Sequence, residues 1–120
     1  EAEIRTFFAS PREEQEVFVY DRGQQNLGGF LELNIRTYSE GCSSDRVAYI
    51  EGWYVDADLR RQGVGSLLIN AAENWARFLN LTEIASDCLI DNDISFHAHL
   101  ANGFEEVERV ILFRKPLTTS

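Results

Sequence analysis

The sequence predicts one α/β domain, α+β in layout. Its sheet is mixed and mostly antiparallel, with a central parallel pair and flanking helices. Three observations carry this. A chain of 120 residues has room for one modest core, so residues 1–120 form a single domain. Two alternating segments, Glu16 to Asp21 and Leu27 to Arg36, are separated only by the turn-forming Arg22-Gly23-Gln24-Gln25-Asn26, which makes them an antiparallel pair. A strand, helix, strand succession then follows, which requires a right-handed crossover and two parallel strands.

The elements follow from local pattern. Ile4, Phe7 and Phe8 fit one helical face, so Ala2 to Ala9 reads as a helix ending at Ser10-Pro11. The two hairpin strands come next, and Gly41 to Asp45 marks a loop. Val47 to Val55 (VAYIEGWYV) is the strongest strand and the expected centre of the sheet. Val64, Leu67, Leu68, Ala71, Ala72, Trp75 and Leu79 recur at helical spacing and predict a helix lying over the sheet. Thr82 to Cys88 reads as a strand, Asp93 to Asn102 as a helix closed by Gly103, and Val107 to Phe113 as a last strand. The predicted order is α-β-β-β-α-β-α-β. The chain has no initial methionine and opens inside an element, which reads as a fragment or a processed form.

Composition narrows the functions. Twenty acidic against eleven basic residues leave a net charge of −9, which disfavours nucleic acid and anionic membranes and favours cationic partners. No segment approaches the roughly 20 apolar residues a membrane span needs. Two cysteines and no secretion signal make a reducing cytoplasm the expected compartment. Cys42, Cys88, His97 and His99 have no zinc-ligand spacing, so no metal is expected. Cys88 lacks an evident base for nucleophilic work and reads as a structural thiol.

Arg60-Arg61-Gln62-Gly63-Val64-Gly65 lies between the strongest strand and the strongest helix, where unpaired backbone N–H groups and the positive helix end converge. The two glycines allow close approach and the arginines add charge, so the segment suits a bulky anion such as a pyrophosphate. It lacks the Gly-Lys-Ser/Thr of a Walker A loop and the third glycine of a dinucleotide fingerprint.

Arg60, Gly63 and Gly65 resemble the acetyl-coenzyme A signature of the GNAT acetyltransferase superfamily, Gln/Arg-x-x-Gly-x-Gly/Ala. Asn92, Ser95, Gly103 and Phe104 match its later motif, with His99 where tyrosine is usual. The predicted order is similar to the GNAT fold, with the family's first strand and helix missing upstream of Glu1. More narrowly, Ala48 to Val55, Arg60-Arg61, Ala85-Ser86-Asp87 through Asp91-Asn92, and Gly103-Phe104 through Val110 resemble aminoglycoside 6′-N-acetyltransferases.

This resemblance implies acetyl transfer from acetyl-coenzyme A to the 6′-amine of an aminoglycoside, and so resistance to these antibiotics. Backbone around Tyr54 and Val55 would pair with the pantetheine arm. Arg60, Arg61, Gln62, Gly63, Val64, Gly65 and Ser66 would wrap the pyrophosphate, and Asn92 would hold the thioester end. An alkyl amine must lose a proton before it attacks, so carboxylates are the candidate bases. Glu51, on the same alternating face as Tyr49 and Trp53, and Asp87, at the carboxyl end of the next strand, are the two candidates. In the family, acids at these positions contact the substrate amines, and Tyr38 and Glu108 match further contacts. His99, two helical turns beyond Asn92, could protonate the leaving thiolate. A homodimer is the expected assembly. Acetylation of a polyamine or protein amine, or a non-catalytic acyl-coenzyme A-binding domain, are the competing functions.

Overall fold

The computed structural model describes residues 2–8 and 14–118, so the predicted helix end at Ser10-Pro11 lies outside the described residues. Five strands form one sheet in the order β1 (Glu3–Thr6), β2 (Gln15–Asp21), β3 (Leu27–Arg36), β4 (Val47–Val55) and β5 (Ile84–Ala85). The first three pairings are antiparallel, and β4 with β5 is parallel. Helix α1 (Val64–Phe78) is the crossover between β4 and β5, and α2 (Asp93–Ala101) follows β5. The mixed, mostly antiparallel sheet, the hairpin and the parallel pair joined by a crossover helix are as the sequence predicts, but among the described residues that pair lies at the edge of the sheet and not at its centre, because no further strand joins β5.

Three elements differ. The predicted N-terminal helix is a strand. Glu3 to Thr6 pairs with Asp21 to Phe18, and Arg5 is tied to Asp21 at 3.0 Å. Ile4, Phe7 and Phe8 also suit helical spacing, but only Ile4 reaches the core, while both phenylalanines are exposed. A short apolar run cannot by itself distinguish the two periods, and the open edge of β2 decides it. The strand predicted over 82–88 is paired only at Ile84 and Ala85. The strand predicted over 107–113 is an exposed arm without sheet pairing.

The core lies on the face of the sheet covered by α1. Leu31, Leu33 and Ile50 from the sheet meet Val64, Leu68, Ile69 and Ala72 from the helix. Leu68 has no exposed surface, so Leu68→Ala is expected to cost about 2–5 kcal/mol of stability, read as a lowered denaturant midpoint. A loss under about 1 kcal/mol would mean that α1 does not pack as described.

One irregularity in β4 matters for the site. Glu32 pairs with Gly52 and Leu33 with Ile50, so Glu51 is the extra residue of a β-bulge. Ile50 and Trp53 both face α1 as a result, whereas Glu51 lies on the opposite face. The expectation that Trp53 shares a face with Tyr49 and Glu51 is thus corrected, because the inserted residue inverts the alternation beyond it.

Candidate active site

Beyond Tyr49, β4 has no paired neighbour on its β5 side, and the backbone from Ile50 to Val55 borders an opening. The turn leading to α1 stands at the far end of this opening. Arg61 and Gly63 take left-handed backbone (φ 64° and 84°), and Gly63 is the helix N-cap. Leu67 is the first residue whose N–H returns to the helix, bonding Gly63 O at 3.0 Å. The amides of Val64, Gly65 and Ser66 therefore remain as donors at the positive helix end.

Gly65 sits close under Trp53, and a Cβ there would lie 3.3 Å from the indole Cζ2. The Trp53 Nε1 is buried without a hydrogen-bond partner among the described residues. Gly63 has open space around it. Open amides, an exposed Arg61 and glycines at the turn fit a diphosphate-bearing coenzyme by shape and charge.

The turn is tied to the sheet. Arg22 bonds Asp56 at 3.2 Å and Asp58 at 2.6 Å, which draws the 3₁₀ turn Ala57–Leu59 onto the β2–β3 connection. The Arg60 side chain donates its Nε–H to Val55 O at 3.1 Å, and Gln62 donates to Asp58 O at 2.9 Å. Arg60 and Gln62 thus shape the turn as well as flank it. The Val55 carbonyl, expected among the pantetheine partners, is occupied by Arg60.

The face of the sheet opposite α1 carries the acids. Arg36, at the end of β3, donates to both oxygens of Glu51 at 3.0 and 2.8 Å. Its guanidinium carbon also stands 3.4 Å above the Tyr49 ring. The Tyr49 hydroxyl donates to Asp87 Oδ2 at 2.5 Å. Burial, and next the bond to the Asp87 carboxylate, push the Tyr49 phenol well above its usual range, so it stays a donor at working pH. Glu51, Arg36, Tyr49 and Asp87 thus form one linked row beside the opening. Sequence reasoning missed Arg36 and Tyr49. Their signal was a lone basic residue at the end of a strand and a hydroxyl-bearing aromatic two residues before an acid.

On the α1 side, His99 is held at both ring nitrogens. Nδ1 is 2.7 Å from Ser95 O, and because a carbonyl only accepts, Nδ1 carries the proton. In the neutral ring Nε2 then accepts from the Ser86 hydroxyl at 2.7 Å. Trp53 and Phe104 pack against the ring edge to face. The two bonds fix the orientation of the ring and place the Ser86 hydroxyl against Nε2. Ser86 and Asp87 are successive residues reaching opposite faces, a partner that no motif signals.

Asn92 is the N-cap of α2, its side chain accepting from Ser95 N at 3.1 Å, which leaves its amide NH₂ as the group able to meet a ligand. Tyr38 is 67% exposed in the loop after β3. Glu108 is exposed on the C-terminal arm, and no hydrogen bond or ion pair among the described residues joins either to the acid row. The structure thus links Glu51 and Asp87 through Arg36 and Tyr49, and gives Tyr38 and Glu108 no bond to that row among the described residues. No group of three or more potential metal ligands occurs among the described residues, and none of their helices is long and apolar enough to cross a membrane.

A sheet that parts beyond a bulged strand, with the open amides of a helix start at the opening, is an α/β arrangement shaped to receive an anionic ligand. The chain belongs to the acetyltransferase (GNAT) family, whose sequence profile matches residues 1–104. It is 57% identical over 89 residues to an aminoglycoside N(6′)-acetyltransferase type 1 of Klebsiella aerogenes, covering 74% of this chain and 59% of that one. A Stenotrophomonas maltophilia protein of the same name is 42% identical over 93 residues, covering 77% and 61%. The chain thus spans about three-fifths of the length of these relatives. A solved structure of AAC(6′)-Iy in complex with the bisubstrate analog CoA-S-monomethyl-acetylneamine superposes with a TM-score of 0.85 at 29% identity, covering 97% of this chain and 99% of that one.

Proposed function

We propose that this chain transfers an acetyl group from acetyl-coenzyme A to the 6′-amine of an aminoglycoside by direct attack with both substrates bound. The observation that carries this reading is the placement of Glu51 and Asp87 in one row beside the β4–β5 opening. The names of the relatives and the coenzyme-linked aminoglycoside analog of the solved neighbour support it.

Val64, Gly65 and Ser66 offer backbone N–H groups to the coenzyme's pyrophosphate, with Arg61 adding charge and Arg60 and Gln62 holding the turn. Backbone around Tyr54 and Val55 would hold the pantetheine arm, and the Asn92 amide would meet its thioester end. The bound coenzyme supplies an activated acetyl group. Glu51 and Asp87 draw the ammonium groups of the acceptor onto the row, and the charge of −9 favours its approach.

Asp87 is the better proton acceptor. Tyr49 fixes one of its oxygens and leaves the other open, whereas both oxygens of Glu51 are held by Arg36. Glu51 acts as an anchoring charge. Tyr38 and Glu108 complete the acceptor contacts only if the loop and the arm that carry them close over it. A cytoplasmic location and a homodimer belong to the same reading.

Incubation with acetyl-coenzyme A and kanamycin-type or tobramycin-type aminoglycosides is expected to release free coenzyme A thiol. Release with a polyamine or peptide amine but with no aminoglycoside would overturn the acceptor assignment, and no release with any amine would overturn the activity.

A further inference from the structure

We propose that Ser86 and His99 form a nucleophile–base pair that hydrolyses acetyl-coenzyme A when no acceptor amine is bound, through an acetyl ester on the Ser86 hydroxyl. The acyl donor rests on the coenzyme reading above.

Ser86 stands where the sheet parts. Ala85 is the last residue of β5 paired with β4, opposite Tyr49, so Ser86 is the first one beside the opening. Asp87 joins the acid row through Tyr49, whereas Ser86 turns to the α1 side and meets His99. Trp53 packs on the His99 ring at 5.1 Å between centroids, and its indole also lies against Gly65 at the start of α1. The pair therefore shares its side of the sheet with the open amides, while the acids lie on the other. Ser86 and His99 are both only half-buried.

Hydrogen bonding gives the pair its polarity. His99 Nδ1 lies 2.7 Å from the Ser95 carbonyl oxygen, which can only accept, so the neutral ring has its proton there and a lone pair at Nε2. That lone pair faces the Ser86 Oγ at 2.7 Å. A hydroxyl, an imidazole base and a fixed acceptor behind the base are the parts of an activated serine, with a backbone carbonyl in place of the usual carboxylate. The carbonyl is itself held. Ser95 and His99 are one turn apart in α2, and the Ser95 N–H bonds the Asn92 cap at 3.1 Å. Phe104 packs on the ring at 5.3 Å and its N–H bonds His99 O at 3.1 Å, which braces the imidazole from the far end of the helix. Docking α2 on β5 would be served by a bond of either polarity. This tautomer leaves Nε2 ready to take a proton.

The reaction balances with water as the only co-reactant. Ser86 Oγ attacks the thioester carbonyl carbon while its proton passes to His99 Nε2. The carbon–sulfur bond breaks, and the leaving thiolate takes that proton, giving free coenzyme A and acetyl-Ser86. A water molecule then gives a proton to Nε2 and attacks the ester carbonyl, and the Ser86 oxygen leaves with that proton, releasing acetic acid. Unpaired β4 backbone beyond Tyr49 offers N–H groups to the oxyanion in both steps. A deprotonated amine is a stronger nucleophile than a serine hydroxyl, so an acceptor on the acid row takes the acetyl group first and hydrolysis is the slow idle reaction.

Thiol-release kinetics and peptide mass spectrometry on the full chain test this. Without any amine, acetyl-coenzyme A is expected to release thiol slowly, and acid-quenched protein to carry an acetyl group on the peptide containing Ser86. A fluorophosphonate, which labels base-activated serines and needs no coenzyme site, should modify the same residue. Ser86→Ala should lower thiol release about tenfold or more and abolish both modifications, with its thermal melt and its calorimetric affinity for coenzyme A unchanged. Thiol release within about twofold of the unmodified protein in Ser86→Ala would mean that water attacks the thioester directly, and would overturn the proposal. Transfer to an aminoglycoside with neither modification at Ser86 would overturn the proposal and keep the transfer reading, a result that needs no variant to fold. Fluorophosphonate on Ser86 with no thiol release from any mixture would overturn the coenzyme reading and the hydrolysis together.

Discussion

Ser66→Asp is expected to raise the KM for acetyl-coenzyme A on the order of a hundredfold while leaving the fold as stable as before, or slightly more so. Ser66 is the third residue of α1 and is exposed, so the new side chain meets no packed neighbour. An acid in the first helical turn complements the macrodipole and contributes a few tenths of a kcal/mol to helix stability. The same charge would stand against the pyrophosphate where Val64, Gly65 and Ser66 now present bare amides. Repulsion of about 2–3 kcal/mol between charges a few ångström apart at intermediate dielectric gives the hundredfold. Stability and coenzyme affinity should therefore move in opposite directions. Calorimetric titration with coenzyme A and a thermal melt read the two separately, and unchanged affinity would move the coenzyme away from this turn.

Asp87→Asn should lower kcat by about a hundredfold or more, the scale of a lost general base. Asparagine keeps an oxygen for the Tyr49 hydroxyl, so the link seen at 2.5 Å survives while the proton acceptor is lost. Glu51→Gln should act differently. Its carboxylate is engaged by Arg36 and serves as an anchor, so KM for the aminoglycoside should rise more than kcat falls. Steady-state kinetics with the acceptor varied separates them. If kcat of Asp87→Asn stays within about twofold of the unmodified enzyme, the base lies elsewhere.

The sequence made the centre of this fold legible and its edges less so, for physical reasons. β3, β4 and the start of α1 fall where alternation and helical spacing place them, because each has one face in the core and its pattern is enforced by burial. The position of the glycine-arginine turn was legible because it falls between the strongest strand and the strongest helix, where Gly63 takes the left-handed backbone that opens α1. β1 was not, because four residues on an edge take their form from the strand they join. The last strand was read as strand but joins no sheet, since an apolar pattern states what a segment suits and not whether a neighbouring strand is there to pair with it.

The site was legible in its charges and not in its connections. Glu51 and Asp87 stand out as acids in or beside apolar strands. Arg36 and Ser86 came to light only with the structure, because the first reaches across a hairpin and the second meets a histidine from another element. His99 shows the limit most clearly: its spacing from Asn92 is legible, whereas its bonds to Ser95 and Ser86 came to light only with the structure.

The additional residue at Glu51 restricts how this chain can vary. Two positions apart on a regular strand, Glu51 and Trp53 would point the same way, yet one meets Arg36 on the open face and the other packs against Gly65 at the start of α1. Removing a single amino acid between them would leave a well-bonded strand that presents either its acid or its indole to the wrong side. Variation along β4 can therefore proceed by exchanging side chains, while changes in strand length are closed to it.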